Sequence, residues 1–458
     1  MVSVGRHKNI TLLTYSEVEE VSGVVGNFNV KVRKKARYVN EDLCTGCGVC
    51  VEKCPWKKIP DEFEYGLGNR SAIHFHYAQA VPKVPVIDEE NCAYFRNGKC
   101  KACEKFCQRN AIDFTQEDEV LDLEVGVMIL ATGFQDFDPV KSPQYGYKQL
   151  NNVLTGREFE RLINTGGPTT GKVLCSDGEM PKRVGIIHCV GSRGDQHEYC
   201  SRACCMYSLK LAHLVREMLD ADVVEFYRDM RTFGKSYESF YKKVREDGVE
   251  FVRYRQNIQV RGTDGGLIIE TMNLMTGEKV QEPVDMVILS AGMEPQDDQQ
   301  VIASTFGISL SPDGFFLEKH PKLAPVDTAT EGVFLAGTCQ GPKDIPDTVA
   351  QASAAAASAL ALMDAGSVML EPFTAYINAE RCSGCQICMD TCPFHAIELV
   401  QLNGHKVSQV NEIICKGCGT CVAACPSGAA VQNGFTNRQI FAELDGILVQ
   451  NATLEMVI

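Results

Sequence analysis

The sequence predicts an α/β protein whose nucleotide-binding folds are interrupted once, and followed once, by a small cysteine-rich unit. Three observations predict this. Two apolar strands of nearly the same sequence each run into a turn, VGVMILATG at 125–133 and VDMVILSAG at 284–292, the internal repeat expected of two nested dinucleotide folds. A strand, a helix and a strand follow one another between 184 and 227, the β-α-β order of such a fold. Twenty of the 22 cysteines fall into five groups of four.

Taken along the chain, residues 10–38 alternate as strands do, with Leu12, Tyr15, Val18 and Val21 followed by Phe28, Val30 and Val32. The first cysteine-rich unit occupies 41–118, so residues 1–40 and 119–180 belong to one interrupted domain. Its strand 127–133 ends in Ala131-Thr132-Gly133, a sign of a two-dinucleotide-fold flavoprotein where the chain passes close to the flavin nucleotide. A second nucleotide fold spans 181–292: a buried strand to Cys189, a helix from about 201 to 218, and a strand at 222–227. The chain returns to the first domain over 293–372, with a strand 332–337, the turn GPKDIPD and a helix 348–363. A second cysteine-rich unit fills 373–433, and 434–458 reads as an amphipathic helix with a short tail.

The cysteine spacing carries the chemistry. Cys44, Cys47, Cys50 and Cys54 stand as C-x2-C-x2-C-x3-C before Pro55. Cys382, Cys385, Cys388 and Cys392 repeat it before Pro393, and Cys415, Cys418, Cys421 and Cys425 before Pro426. This is the bacterial ferredoxin run, in which three cysteines hold one [4Fe–4S] cubane and the fourth ligates its neighbour. Cys92, Cys100, Cys103 and Cys107 form a looser partner for the first run. Crossed sets follow: 44/47/50 with 107, 92/100/103 with 54, 382/385/388 with 425, and 415/418/421 with 392. Zinc sites pair C-x2-C units across a longer gap, and small secreted disulfide scaffolds are richer in cysteine than this chain. The fifth set, Cys189, Cys200, Cys204 and Cys205, is irregular: either packed thiols, or a cluster standing where a nicotinamide coenzyme would bind. Cys200 and Cys204, four apart, are expected on one helical face. Cys175 and Cys339 stand outside the sets and read as buried small residues.

At 458 residues there is material for roughly three domains. Asp and Glu outnumber Lys and Arg, 59 to 45, a formal charge of −14 that argues against a nucleic-acid partner. The basic stretch Arg33, Lys34, Lys35, Arg37 suits a solvated strand face. The N-terminus shows no apolar signal core, and the most apolar tract, 354–363, is about half a membrane span. No membrane span is expected, and cluster-ligating thiolates suit a reducing cytoplasm.

Together these segments resemble the iron–sulfur flavoprotein subunit of heterodisulfide reductase, its A subunit. The resemblance rests on CVGSRG…YCSRACCMYSLK (189–210), FLAGTCQGPKDIPDTVAQASAAAASAL (334–360), LLTYSEVEEVSG (12–23) and the ferredoxin-type sets, and it covers essentially the whole chain. It implies a thioredoxin-reductase-like core, FAD, five [4Fe–4S] clusters including one at the irregular set, and a role in flavin-based electron bifurcation. It places Ala131, Thr132, Gly133, Gly337, Thr338, Gln340, Lys343, Asp344 and Ile345 around the flavin, Lys343 and Asp344 either reaching it or shaping their turn. It puts Lys210 beside the flavin ring, the catalytic position, against the ordinary reading of a solvated helix lysine. His188, inside a buried strand, reads as a satisfied core residue. No G-x-G-x-x-G stands in the first 40 residues, so the FAD domain is expected to lack its pyrophosphate-binding half. Either another chain supplies that half, or electrons pass here without a fully bound flavin; the intact flavin-side strings favour the first. The resemblance also implies partner subunits, ferredoxin, and a hydrogenase, formate dehydrogenase or other oxidoreductase module. A flavin-free polyferredoxin-like conduit is the competing reading. An NAD(P)H oxidoreductase is disfavoured by the thiols in the second nucleotide fold.

Overall fold

The computed structural model describes residues 2–194, 197–255, 257–263, 265–368, 372–402 and 404–455; residues 456–458 of the expected tail lie outside them. Strand β1 (Ser16–Val24) pairs antiparallel with β2 (Asn27–Lys34), placing Val18 opposite Val32 and Val21 opposite Val30. Strand β3 (Glu119–Val125) adds to the other edge of β2, with Phe28 opposite Val125. Phe28, Val30 and Val32 are buried while the residues between them are exposed, the period-2 pattern of a half-buried strand. The inserted cysteine unit therefore leaves the sheet between two neighbouring strands and returns to it. A bridge between Val39 and Ile112 closes its base.

After β4 (Met128–Leu130) come β5 (Val153–Thr155) and helix α1 (Gly156–Ile163), which opens on a capping box. There the Thr155 hydroxyl accepts from Glu158 N–H and the Glu158 carboxylate accepts from Thr155 N–H. Then follow β6 (Arg183–Val190), α2 (Cys204–Leu219), β7 (Asp222–Tyr227), β8 (Glu250–Arg253) and β9 (Met286–Ala291). They form one parallel sheet in the order β5-β9-β6-β7-β8. Helix α2 covers one face through Leu209, Ala212 and Val215, and an antiparallel meander over 259–284 covers the other through Leu267 and Ile269. With both faces covered, β6 and β9 are almost wholly buried, which is why they read as unbroken apolar runs. Gly185 in β6 is required by this packing: a Cβ there would lie 2.3 Å from Ile269 Cδ1. One expected boundary moves. Residues 153–163, assigned from sequence to the first domain, join the sheet of the second fold, because a three-residue strand carries too little periodicity to declare its partner.

Strand β10 (Val333–Leu335) runs parallel to β4, and helix α3 (Ile345–Ala365) packs over that pair through Ala355 and Ala359. Helix α3 begins three residues earlier and ends two later than its apolar pattern suggests, since Asp344 caps it and Gly366 ends it. The appended unit pairs Ala375–Ile377 with Ala430–Gln432 and carries a hairpin, Ile397–Leu402 with His405–Val410. Helix α4 (Asn437–Glu455) closes the described chain. Among the described residues no helix is long and apolar enough to cross a membrane. The inserted unit is clamped to α1 by a two-toothed ion pair: Arg161 Nε and Nη2 donate to the Glu64 carboxylate at 2.8 and 2.9 Å, both side chains largely buried.

Candidate functional site

Each regular cysteine run folds as a loop followed by one short helix. In the first run Gly46 and Gly48 take left-handed φ values of 66° and 80°, and the loop wraps back on itself through them. Cys50 sits on the helix Val49–Lys53, and Cys54 caps its far end. That helix carries the fourth cysteine away from its own loop and toward the neighbouring one. Cys54 accordingly lines a cavity with Cys92, Cys100 and Cys103. In the appended unit Cys425 lines a cavity with Cys382, Cys385 and Cys388, and Cys392 lines one with Cys415, Cys418 and Cys421. Cys107 is an electrostatic neighbour of Cys44 and Cys50, and Cys47 of both. All four crossed groupings are thus brought together.

The thiols are free, and three of the four groupings surround small voids. Among the described residues no group of three or more His, Cys, Asp or Glu is set to hold a single metal ion. Sulfurs spread around a void suit a polynuclear cluster, whose corners are metal atoms set apart from one another. Burial pushes the Cys50 and Cys421 thiols up to about 11 and Cys103 to about 12. Such thiols are neutral without metal, and ligation must displace their protons.

The irregular set is built by the second nucleotide fold. Cys189 stands in β6 with a left-handed backbone, φ 60°, and the register of β6 against β9 slips between Ile187 and Val190. A non-glycine residue in that conformation is held there by its surroundings, and such strain gathers at functional positions. Cys204 and Cys205 are the first two residues of α2, but Cys200 is not helical. The expectation that Cys200 and Cys204 share a helical face is corrected: the loop from 191 to 203 carries Cys200 to the site, and Arg202 N–H donates to its sulfur at 3.3 Å. Cys189 has Cys205 and Cys200 as electrostatic neighbours, and Cys204 has Cys189, Cys205 and Cys200. Four thiols converge.

His188, expected to be a satisfied core residue, is fully buried, with Nε2 2.8 Å from Glu225 Oε2. Burial disfavours its charge, yet Glu225 and Cys205 together outweigh burial and raise its pKa to about 10. Burial likewise pushes the Cys205 thiol up, but the hydrogen bond and charge of His188 bring it below its usual value. Glu225 escaped sequence reading because it lies on β7, beside Ile186 in the parallel register. Nothing local announces it.

On the flavin side, β4 and β10 end together, placing Ala131–Gly133 near Gly337 and Thr338. Gly133 takes φ 82° with open space where a Cβ would stand, and Ala131, Thr132 and Ile345 are exposed. These surfaces fit a ligand lying across the strand ends. Lys343, Gln340 and Asp344 behave differently. Burial draws Lys343 down to about 8, while its ammonium donates to Gly337 O, Gly341 O and Gln340 Oε1 at 2.7 to 2.9 Å. All three of its donors stay within its own turn. Asp344 accepts from Asp347 N–H and from the Tyr237 hydroxyl, and Gln340 donates to Glu318 at 2.8 Å. Lys343 is thus held within its turn, Asp344 caps α3, and Gln340 reaches across to Glu318. Lys210 is exposed on α2 and makes no hydrogen bond or ion pair with any described residue.

Residues 37–57 match the model of a 4Fe-4S binding domain and residues 381–429 that of a 4Fe-4S dicluster domain. The chain is 48% identical over 457 residues to the A subunit of H(2):CoB-CoM heterodisulfide,ferredoxin reductase from Methanothermobacter thermautotrophicus, covering 99% of this chain and 68% of that protein. It is 50% identical over 453 residues to the iron-sulfur A subunit of a CoB--CoM heterodisulfide reductase from Methanopyrus kandleri, covering 97% and 68%. A thioredoxin reductase of T. acidophilum aligns over 55% of this chain and 70% of its own, at 16% identity and a TM-score of 0.34. The chain belongs to the A-subunit family of heterodisulfide reductase, a family of oxidoreductase subunits.

Proposed function

We propose that this chain joins FAD to five [4Fe–4S] clusters within a heterodisulfide-reductase-like complex and distributes electrons to partner subunits and ferredoxin by flavin-based bifurcation. The observation that carries the reading is the set of crossed cysteine groupings, joined by a fifth convergence at Cys189, Cys200, Cys204 and Cys205. Ala131, Thr132, Gly133, Gly337, Thr338 and Ile345 would border the flavin. Bound FAD would supply exchange between two-electron and one-electron chemistry, which clusters alone do not perform. The outer face of α3 supports a further covering unit: Ile345, Val349 and Leu360 are 79, 59 and 63% exposed, an apolar stripe suited to a packed neighbour. A Gly-rich strand–helix unit would cover it and complete the pyrophosphate site.

The inward commitment of Lys343, Gln340 and Asp344 favours the second reading, a flavin-free conduit, because it removes three polar contacts from the flavin side. Flavin content of the anaerobically prepared complex separates the two: stoichiometric FAD supports the first, and clusters without FAD the second. Within the first reading, Lys210 acts on the flavin ring as a cation. A charge-assisted contact of about 1 to 3 kcal/mol corresponds to tens of millivolts or more, at roughly 59 mV per tenfold for one electron. Lys210→Ala shifts the flavin potential in the complex by that amount and leaves the iron content intact. An unmoved flavin couple returns Lys210 to the solvated helix face.

A further inference from the structure

Beside the irregular cysteine set lies a crevice of about 920 Å³ at the carboxyl end of the parallel sheet. Cys189, Ser192 and Arg193 line it from the end of β6 and the loop that follows, Arg228 from just past β7, and Tyr254 from beyond β8. The two guanidinium groups are its unusual feature. Arg228 donates to the carbonyl of Arg193, which ties the two chain segments together. Its guanidinium lies 5.8 Å from the centre of the Tyr254 ring, and the Tyr254 hydroxyl donates to His188 O, one residue before Cys189. Arg193 pairs with Asp229 at 2.5 Å, whereas Arg228 pairs with no described carboxylate. Arg193 Nη1 and Arg228 Nε are both buried and have no hydrogen-bond partner.

Buried guanidinium donors without acceptors are costly, and each calls for a missing acceptor. A free anion in the crevice is a poor answer, because a cluster held by the four cysteine thiolates beside it would repel the anion. The better acceptor is the sulfur-rich, negatively charged group those thiolates would hold. Both arginines line the crevice with Cys189, close enough for their charges to lower its thiol. We propose that Arg193 and Arg228 are the counter-charges of the cluster at Cys189, Cys200, Cys204 and Cys205, and that they set its reduction potential. This rests on the five-cluster reading. When the cluster gains one electron, no bond forms or breaks and the site becomes one unit more negative. Two nearby cations stabilise the reduced state more than the oxidised one, so they raise the potential; charge and hydrogen bonds at sulfur are two recognised determinants. They are positioning residues and touch no substrate.

The test is an anaerobic redox titration, followed by electron paramagnetic resonance, of the reconstituted chain with wild-type sequence, Arg228→Gln, Arg193→Gln and the corresponding Lys variants. Iron is counted in each. The proposal expects wild-type iron in the Gln variants and a reduced-to-oxidised ratio at fixed potential about tenfold lower, a fall of roughly 59 mV for one electron. Lys variants recover most of the shift, since charge rather than the planar fork is required. If a Gln variant loses one cluster while its Lys counterpart keeps it, the counter-charge role is again supported. An unmoved potential with full iron overturns the proposal, as does loss of the cluster in the Lys variants as well. Failure of the underlying reading looks different: the wild-type chain itself would lack the fifth cluster.

Discussion

The inserted and appended cysteine units share one ligand pattern but sit in the molecule differently. The inserted unit is clamped. Arg161 grips Glu64 with two hydrogen bonds, its guanidinium lies 4.8 Å from the centre of the Phe63 ring, and Arg157 donates to the Tyr65 hydroxyl at 3.1 Å. The appended unit meets the first domain through Phe394, His395, Ile413 and Ile414, which line a shared cleft with Val21–Val25 and Phe306. There Lys416 reaches Glu331 at 3.6 Å. Sulfur environments differ too. In the appended unit the hydroxyls of Ser408, Thr420 and Ser427 lie 3.3, 3.4 and 3.6 Å from Cys388, Cys418 and Cys425. Backbone N–H groups donate to sulfur in both units, Gly46 to Cys44 and Ala111 to Cys107 in the inserted one, Ala396 to Cys392 and Ala430 to Cys425 in the appended one. Burial pushes Cys425 up, but its hydrogen bonds outweigh burial and bring it down to about 7, whereas Cys421 of the same unit is pushed up to about 11, as Cys50 is in the inserted one. The comparison teaches that ligand spacing fixes which cysteines meet, while position in the fold and the neighbours of each sulfur set how the two units work. One is a fixed relay beside the core. The other is less tightly seated, with side-chain hydroxyls beside three of its sulfurs.

The largest test of this comparison breaks ligation itself. Cys54→Ala should strip the 92/100/103 cluster and leave the 44/47/50 cluster, the reverse of what adjacency in sequence suggests; Cys425→Ala should strip 382/385/388. Iron analysis with Mössbauer spectra checks both, and loss of the cluster nearest in sequence would refute the crossing. Next comes the clamp. Arg161→Ala leaves the part-buried Glu64 without its partner and should cost about 1.5 to 3 kcal/mol, the range for a hydrogen bond to a charged group. Limited proteolysis and the unfolding midpoint report it, and an unchanged midpoint would show that the unit is seated by other contacts.

A smaller effect is expected at the hydroxyls. Ser408→Ala and Ser427→Ala should each lower a potential in the appended unit by tens of millivolts, about 1 kcal/mol for one hydrogen bond, without touching the inserted unit. Equal shifts in both units would mean that global stability, not a local donor, had changed. Smallest is Glu331→Gln. A partly exposed ion pair contributes about 0 to 1 kcal/mol, so its loss should be barely visible in unfolding and should vanish at high salt.

Much of this was legible in the sequence, for identifiable reasons. The run C-x2-C-x2-C-x3-C encodes loop, helix and crossing within 11 residues, so the cluster units are local facts. Strands β6 and β9 declared themselves by unbroken apolar runs. What escaped was long-range or conformational. The left-handed backbone of Cys189 is invisible because no glycine marks it. Strand β5 is three residues long and finds its partner 134 positions away, Val153 opposite Val287. Glu225 meets His188 only through parallel register. The turn at 337–345 displayed Lys343 and Asp344 as candidates for a ligand, and only the fold shows Lys343 bonded within the turn and Asp344 capping α3.

The central claim is that five groups of thiolates, four crossed and one irregular, hold five cubanes. Its most direct test is the iron and acid-labile sulfide content of anaerobically prepared protein. The account predicts about 20 iron atoms and as many sulfides per chain. A value near 16, unchanged when Cys204 is replaced by Ala, would contradict it at the irregular site.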